Sequence, residues 1–294
     1  MEPKHRSLQA PGFYRFAVGA LAVTVINDGW FALDTGAFSG DAASAAQLLD
    51  AAYLPTGIIK TSTNAWLVET GAKRILIDAG SSPALLPDAG RVIHNLSAAG
   101  IDAETIDGVI LTHMHGDHVD GLLTRDGQPA FPNATVHVSE AEYDFWMSDT
   151  VYATLPERFK AFADVARTAI APYARRLMTF RDGEELAPGV VAAMAPGHTA
   201  GHTMLRLSSQ GRQLLIWGDL VHNAALQCPE PDRSLPYDTD PVMAAATRSK
   251  VLEMAATERL LVAGSHLSFP GLGHVGRASH GYGYVQASWN ADPC

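Results

Sequence analysis

The sequence predicts an α/β fold in which two β-sheets pack together with helices outside them. Short apolar runs of strand length, closed by turn residues, come in succession within each half of the chain. Segments with helical start and stop signals lie between them. Sheets and helices that each carry one apolar face are satisfied by stacking in layers. No low-complexity linker interrupts the 294 residues, so the chain reads as a single domain, 1–294, with an N-terminal extension over about residues 1–20.

The elements follow in order. Residues 14–18 and 21–26 are the first strands, and Asn27-Asp28-Gly29 ends the second with turn chemistry. Residues 64–68 and 74–78 form the next pair, joined across Thr70-Gly71-Ala72. Residues 85–99 read as a helix stopped by Gly100. A buried strand over residues 108–112 then opens onto a histidine cluster. In the second half, residues 190–195, 204–207 and 213–217 read as strands, with Gly211 in the turn between the last two. Asp240-Pro241 supplies an N-cap and a first-turn proline for a helix that runs to Glu258 and carries Val242, Val251, Leu252 and Met254. Residues 260–263 are a last strand leading into Gly264-Ser265-His266.

Composition excludes several classes. A formal net charge of -10 argues against a nucleic-acid partner, which requires a basic stripe. It also disfavours a strongly anionic substrate unless bound metal reverses the local field. No run of about 18 apolar residues is available to span a membrane. The first residues lack the apolar stretch and small-residue cleavage site of a secretory signal, so the chain reads as cytoplasmic. Two cysteines, Cys228 and Cys294, are too few for a disulfide framework and read as free thiols, with Cys294 frayed at the terminus.

His113-Met114-His115-Gly116-Asp117-His118 places three imidazoles and a carboxylate directly after an apolar strand. These are the side chains that bind zinc and similar divalent ions at neutral pH. At extended spacing His113 and His115 project to one side and can share an ion. Gly116 permits a sharp turn that turns Asp117 and His118 toward a second ion, and Met114 is a packing residue. Three later segments repeat the form of an apolar strand ending in one ligand-type residue: His198 after Ala195-Pro196-Gly197, Asp219 after Ile216-Trp217-Gly218, and His266 after Ala263-Gly264-Ser265. Strand ends cluster at one edge of a sheet, so these residues fit the same pocket.

Read together, the segments resemble the metallo-β-lactamase superfamily, whose signature is HxHxDH followed by separate His, Asp and His ligands. The resemblance implies a four-layer αββα sandwich with mixed sheets. It also implies that His113, His115 and His198 hold one metal ion, that Asp117, His118 and His266 hold another, and that Asp219 bridges them. Further pieces are similar to the methyl parathion hydrolase and lactonase branch: Ala10-Pro11-Gly12-Phe13-Tyr14-Arg15, Ala130-Phe131-Pro132-Asn133-Ala134, Asp144-Phe145-Trp146, and the run from Ser265 to His274. The sequence departs from methyl parathion hydrolase at Gly116, where that enzyme has proline, and at Leu85, where a phenylalanine is expected.

Two divalent ions sharing a water lower its pKa from ~15.7 toward ~7, so no protein nucleophile is needed. Asp117 and Asp219 are the residues placed at the chemistry, Asp117 as a ligand that also relays a proton to the leaving group. Trp146, Phe145, Phe159 and Leu85 are the candidate walls of an apolar substrate pocket. Asp28 and His202 are candidates for holding the ligands from behind, and His222 for lining the cleft. The implied function is hydrolysis of esters, first of acyl-homoserine or aryl lactones, with phosphotriesters of the methyl parathion type and aryl esters as secondary substrates. The implied cofactor is two divalent ions per chain, zinc first, with manganese, cobalt or iron as alternatives; the family suggests a homodimer. The competing readings are a thioester hydrolase or iron-dependent sulfur dioxygenase on the same fold, and a non-catalytic metal-binding protein.

Overall fold

A computed structural model describes residue 10 and residues 12–289. β1 (Phe13–Val18), β2 (Leu21–Asp34), β3 (Ile58–Glu69) and β4 (Arg74–Ile77) pair antiparallel in succession. β5 (Gly108–Ile110), β6 (Thr135–Ser139) and β7 (Leu177–Phe180) then add in parallel. Among the described residues this is a seven-stranded mixed sheet laid down in sequence order. A second seven-stranded sheet follows from β8 (Glu185–Ala187), β9 (Val190–Met194), β10 (Thr203–Ser209), β11 (Arg212–Ile216), β12 (Leu261–Ala263), β13 (Leu272–Arg277) and β14 (Tyr282–Gln286). Its pairs are antiparallel except β11 with β12.

Helices fill the connections. α1 (Ala42–Ala51) lies between β2 and β3, while α2 (Val92–Ala98) and α3 (Gly116–Val119) flank β5. α4 (Glu140–Met147), α5 (Asp149–Thr154) and α6 (Glu157–Ile170) separate β6 from β7. α7 (Ala224–Gln227) and α8 (Pro241–Glu258) span the parallel crossover from β11 to β12. No helix among the described residues is long and apolar enough to cross a membrane.

Alternation along the strands sorts the side chains into separate cores. Val23, Val25, Trp66, Val68 and Ile75 of the first sheet meet Val190, Leu205, Leu207, Leu214 and Ile216 of the second. Ile26, Leu67 and Leu76 face the other way, onto Val92 and Leu96 of α2 and Ala163 and Ile170 of α6. On the far side Leu215 and Val262 pack against Val251, Leu252 and Ala255 of α8. The layers therefore run helix, sheet, sheet, helix. Full burial of each such aliphatic side chain contributes about 1.5–3 kcal/mol, which is what holds the two sheets in register.

Among the boundaries that differ from the sequence reading, two do so for one reason. β2 does not end at Asn27-Asp28-Gly29 but continues to Asp34, because a bulge between Asn27 and Gly29 leaves Asp28 without a partner on β3. The helix expected over residues 85–99 begins only at Val92. Leu85 and Leu86 instead close a turn on the Ser82 carbonyl. The Asp28 carboxylate accepts hydrogen bonds from the backbone N–H groups of Gly90, Arg91 and Val92 at 3.1, 2.7 and 3.0 Å, and from Ser81 at 2.9 Å. The bulge thus aims a remote carboxylate at the orphan donors of α2 and sets where that helix starts. β1 lies within the expected N-terminal extension, yet it is paired with β2 from Phe13 to Val18. Pro11 and Cys294 lie outside the described residues; Cys228 is a buried free thiol.

Candidate metal centre

Strand ends from both sheets meet at one edge. β5 runs out through Leu111 and Thr112 into His113, Met114 and His115, and the single turn of α3 presents Asp117 and His118. His198 follows β9, Asp219 follows β11 and His266 follows β12. Backbone hydrogen bonds lock these ends across the sheets: Thr203 N–H donates to the Thr112 carbonyl at 2.8 Å, Asn64 to Ser265 at 2.9 Å, and Ser265 to Gly218 at 3.2 Å. Met114 is buried in the helix-side core, as a packing residue should be.

All seven residues singled out as ligands converge. His113, His115 and His198 form one group, and Asp117, His118, Asp219 and His266 a second, with donor atoms in each within 4.8 Å of one another. Asp219 stands between them. Its Oδ2 is 2.8 Å from His266 Nε2, 3.4 Å from His198 Nε2 and 3.7 Å from His113 Nε2, and its Oδ1 is 3.2 Å from His118 Nε2. His222 joins this cluster too, its Nε2 3.2 Å from Asp219 Oδ2. The Nε2 atoms of His113, His115, His118 and His198 and Oδ1 of Asp219 are buried with no hydrogen-bond partner. Leaving such atoms unpaired costs about 1–3 kcal/mol each, a penalty that coordination removes. Imidazole nitrogen and carboxylate oxygen are the donors a divalent ion of the zinc type requires, so the two groups fit a dinuclear metal site.

The other ring nitrogen of several of these histidines is held from behind. His118 Nδ1 lies 2.8 Å from Asp78 Oδ2, His198 Nδ1 2.8 Å from Asp238 Oδ1, His266 Nδ1 3.0 Å from the Ser62 carbonyl, and His113 Nδ1 3.1 Å from Thr112 Oγ1. Each acceptor favours a proton on Nδ1 and turns Nε2 inward, toward the cluster. Burial depresses the pKa of His113, reinforced by the neighbouring imidazole of His118; burial likewise depresses His115, with His198 adding to it. At His198 burial is outweighed by Asp219 and Asp238, which lift its pKa to about 9. At His118 the carboxylates of Asp219, Asp117 and Asp78 likewise overcome burial and raise it. A field that favours a proton on these rings favours a cation beside them.

His202 and Asp28 have different roles. His202 Nδ1 donates to the Ala195 carbonyl at 3.0 Å and Nε2 accepts from Asp219 N–H at 3.0 Å, so it holds the backbone of Asp219. Burial and then His198 push its pKa down to about 3, keeping it neutral. Asp28 touches no ligand: its carboxylate is engaged by the backbone N–H groups of Ser81, Gly90, Arg91 and Val92. The carboxylates that orient histidines are Asp78 and Asp238, neither of them singled out in the sequence.

Beside the cluster lies a cavity of about 280 Å³ walled by Phe31, Leu85, Leu86, Phe162, Val165 and Tyr237. Of the four wall residues expected, Leu85 lines it and the other three do not. Trp146 is fully buried behind His115, ring centroids 5.8 Å apart, and its indole N–H donates to Glu142 Oε1 at 2.6 Å. Phe145 packs edge-on against Trp146 and Phe159 against Phe162. Gly116 has no left-handed backbone to accommodate; a Cβ there would come within 2.4 Å of Leu85 Cδ2. A larger residue there would have to displace the Leu85 side chain, and no turn demands the glycine. Tyr237 keeps its phenolic proton, because burial and then the carboxylates of Asp117 and Asp34 raise its pKa. No lysine or arginine is among the described residues lining this cavity.

The family model described as the metallo-beta-lactamase superfamily matches residues 58–266. The chain belongs to that superfamily. Its members are metal-dependent hydrolases, and this protein is a hydrolase of the same kind. The structure is similar to that of hydrolase AbOPH of the beta lactamase superfamily, with a TM-score of 0.91 and 33% identity over 96% of this chain and 100% of that one. It is also similar to AidC, a dizinc quorum-quenching lactonase solved with the product N-hexanoyl-L-homoserine, with a TM-score of 0.89 and 28% identity over 95% of this chain and 98% of that one. Ribonuclease TTHA0252 of Thermus thermophilus is 29% identical over 202 residues, which are 66% of this chain; the match spans 43% of the ribonuclease, less than half its length.

Proposed function

We propose that this protein is a dinuclear zinc hydrolase of neutral esters that acts first on lactones, of the acyl-homoserine or aryl type. Aryl esters and phosphotriesters such as methyl parathion are its secondary substrates. The observation that carries this reading is the apolar cavity, free of lysine and arginine, whose floor is formed by His115, Asp117, His198 and His266. Such a cavity takes an uncharged substrate with an apolar arm and offers no cationic side chain to a polyphosphate chain. The similarity to AidC over nearly the whole of both chains supports the same substrate class.

His113, His115 and His198 would hold one ion and Asp117, His118 and His266 the other, with Asp219 shared. When bound, the two ions supply Lewis acidity at the substrate oxygen and a water acidified toward neutrality. The chain does the rest. Phe31, Leu85, Leu86 and Phe162 desolvate the apolar arm and orient the ester toward the cluster. Asp117 stays anionic, since His118 and His266 outweigh the effect of burial and hold its carboxyl well below the usual range. It accepts the proton released as water adds to the carbonyl and returns it to the departing alkoxide, so that water and ester become acid and alcohol. Tyr237 offers a protonated phenol at the cavity wall.

The test is turnover by metal-quantified protein of acyl-homoserine lactones, dihydrocoumarin, an aryl acetate, methyl parathion and a glutathione thioester. The expected order places the lactones first, with turnover abolished in His115→Ala. Turnover of the thioester alone, or of nothing with two ions bound, overturns the substrate assignment and leaves the metal centre standing.

A further inference from the structure

Glu142, in the first turn of α4, is a fully buried carboxylate with no arginine, lysine or histidine among its partners. Its Oε1 accepts from Met114 N–H at 2.9 Å as well as from Trp146 Nε1 at 2.6 Å, and its Oε2 accepts from Gly201 N–H at 2.8 Å. Met114 lies between His113 and His115, and Gly201 lies three residues after His198. One carboxylate therefore holds, at the same time, the two loops that supply the three-histidine group. Ser139 repeats the connection: its hydroxyl accepts from Glu142 N–H at 3.2 Å and donates to the Gly201 carbonyl at 2.7 Å. The His198 loop is pressed against α4, for a Cβ on Gly201 would lie 2.2 Å from the Glu142 nitrogen. An unpaired buried carboxylate is costly, and a neutral side chain would have served equally well to fill the space.

We propose that Glu142 is a positioning residue, whose carboxylate fixes the spacing of the His113–His115 loop and the His198 loop and so makes the three-histidine group able to retain its ion. This rests on the metal-centre reading above. A carboxylate suits the task because both its oxygens accept; an amide has one accepting oxygen and an NH2 that must oppose a backbone N–H of one loop or the other.

Glu142→Gln keeps the shape and removes that symmetry. In a chelator-competition titration with zinc, the wild-type chain is expected to bind two equivalents. Glu142→Gln is expected to weaken one of them about 10–100-fold, leaving the other within about twofold. His115→Ala, which lacks one of the three histidines, identifies the affected equivalent. Tyr173→Phe removes the buried hydrogen bonds to Phe131 N–H and the Leu122 carbonyl in the helix-side core and touches neither Glu142 nor the two loops. It is expected to lower the melting temperature without changing either zinc affinity, which separates positioning from general stability. Should Glu142→Gln fail to fold, Glu142→Asp, one methylene too short to reach both loops, is expected to show the same selective loss. Two wild-type affinities in the folded variant overturn the proposal, as does equal weakening of both equivalents in Glu142→Gln and Tyr173→Phe alike. A wild-type chain that takes up no zinc refutes the metal centre instead.

Discussion

Asparagine at position 78 tests whether the carboxylates behind the histidines tune the centre. Asp78 has φ 61, a left-handed conformation that asparagine tolerates better than most residues, so Asp78→Asn leaves the backbone undisturbed. Asp78 Oδ1 accepts from Thr112 N–H at 2.8 Å, and Oδ2 lies 2.8 Å from both Thr112 Oγ1 and His118 Nδ1. An amide satisfies only one side of this arrangement. With its oxygen toward His118, its NH2 opposes Thr112 N–H. With the NH2 toward His118, the ring must carry its proton on Nε2, which then cannot ligate. Either way one charge-assisted hydrogen bond of about 1.5–3 kcal/mol is lost, corresponding to a loss of zinc affinity of about 10–100-fold at the group containing His118. Chelator competition on the folded variant reads the two equivalents separately. Asp238→Asn, acting on His198 through the same geometry, weakens the other equivalent. The reasoning is refuted if Asp78→Asn binds both equivalents as tightly as the wild type, or if both substitutions weaken the same one.

Gly116→Ala drives Leu85 away from α3 and into the cavity. KM for substrates with a bulky apolar arm is expected to rise about fivefold, or about 1 kcal/mol, with kcat little changed; Leu85→Ala in the same chain restores KM, and a purely additive double variant counts against the contact. Asp28→Asn leaves two of four N–H groups unpaired, one buried and one part-buried, and lowers stability by about 1–3 kcal/mol or more, read by denaturant unfolding, while zinc affinity stays at the wild-type value because the Asp28 carboxylate is engaged by backbone away from the cluster. Burial pushes the Cys228 thiol up to about 12 from an ordinary value of 9.0. The unfolded chain therefore releases this proton first, and between those pH values stability falls by about 1.4 kcal/mol per unit of rising pH. That slope should be absent from Cys228→Ala, and its persistence there would assign it to another group. Removing metal by dialysis against chelator is expected to abolish hydrolysis and lower the melting temperature while the chain stays folded, since each site at 100 times its Kd adds about 2.7 kcal/mol; an apo chain melting at the holo temperature excludes tight binding.

The convergence of the seven candidate ligands was legible because it depends on local features: a ligand-type residue directly after an apolar strand, recurring at His113, His198, Asp219 and His266. The residues that orient the ligands carry no such mark. Asp78 stands directly after β4 and Asp238 lies in the loop before α8, and in sequence neither differs from a surface aspartate. Their function comes from partners 40 residues away, His118 and His198. Glu142 is hidden for the same reason, its charge looking like that of Glu140 beside it, which is paired with Arg181 near the surface. The cavity wall was misread because aromatic content identifies an apolar helix face without saying what that face meets. On α6, Phe159 turns into the core and Phe162, three residues on, turns to the cavity. The overrun of β2 and the late start of α2 share this origin, a bulge whose side chain caps a helix more than sixty residues later.

The distribution of the candidate ligands over the fold explains why the inter-sheet core matters to the site. His113, His115, Asp117 and His118 come from the end of β5 in the first sheet, whereas His198, Asp219 and His266 come from β9, β11 and β12 in the second. Neither sheet completes either group: the first lacks its third histidine without His198, and the second lacks Asp219 and His266. Ligand spacing is therefore set by how the sheets dock, through Val25, Trp66 and Ile77 on one side and Leu205, Leu214 and Ile216 on the other. Close-packed interiors transmit small changes in volume as displacement rather than absorbing them. A truncation deep in this core, far from the cluster, thus acts on the spacing of donors within each group, and Glu142, Ser139 and the Thr203–Thr112 hydrogen bond are the links that carry the strain to the site.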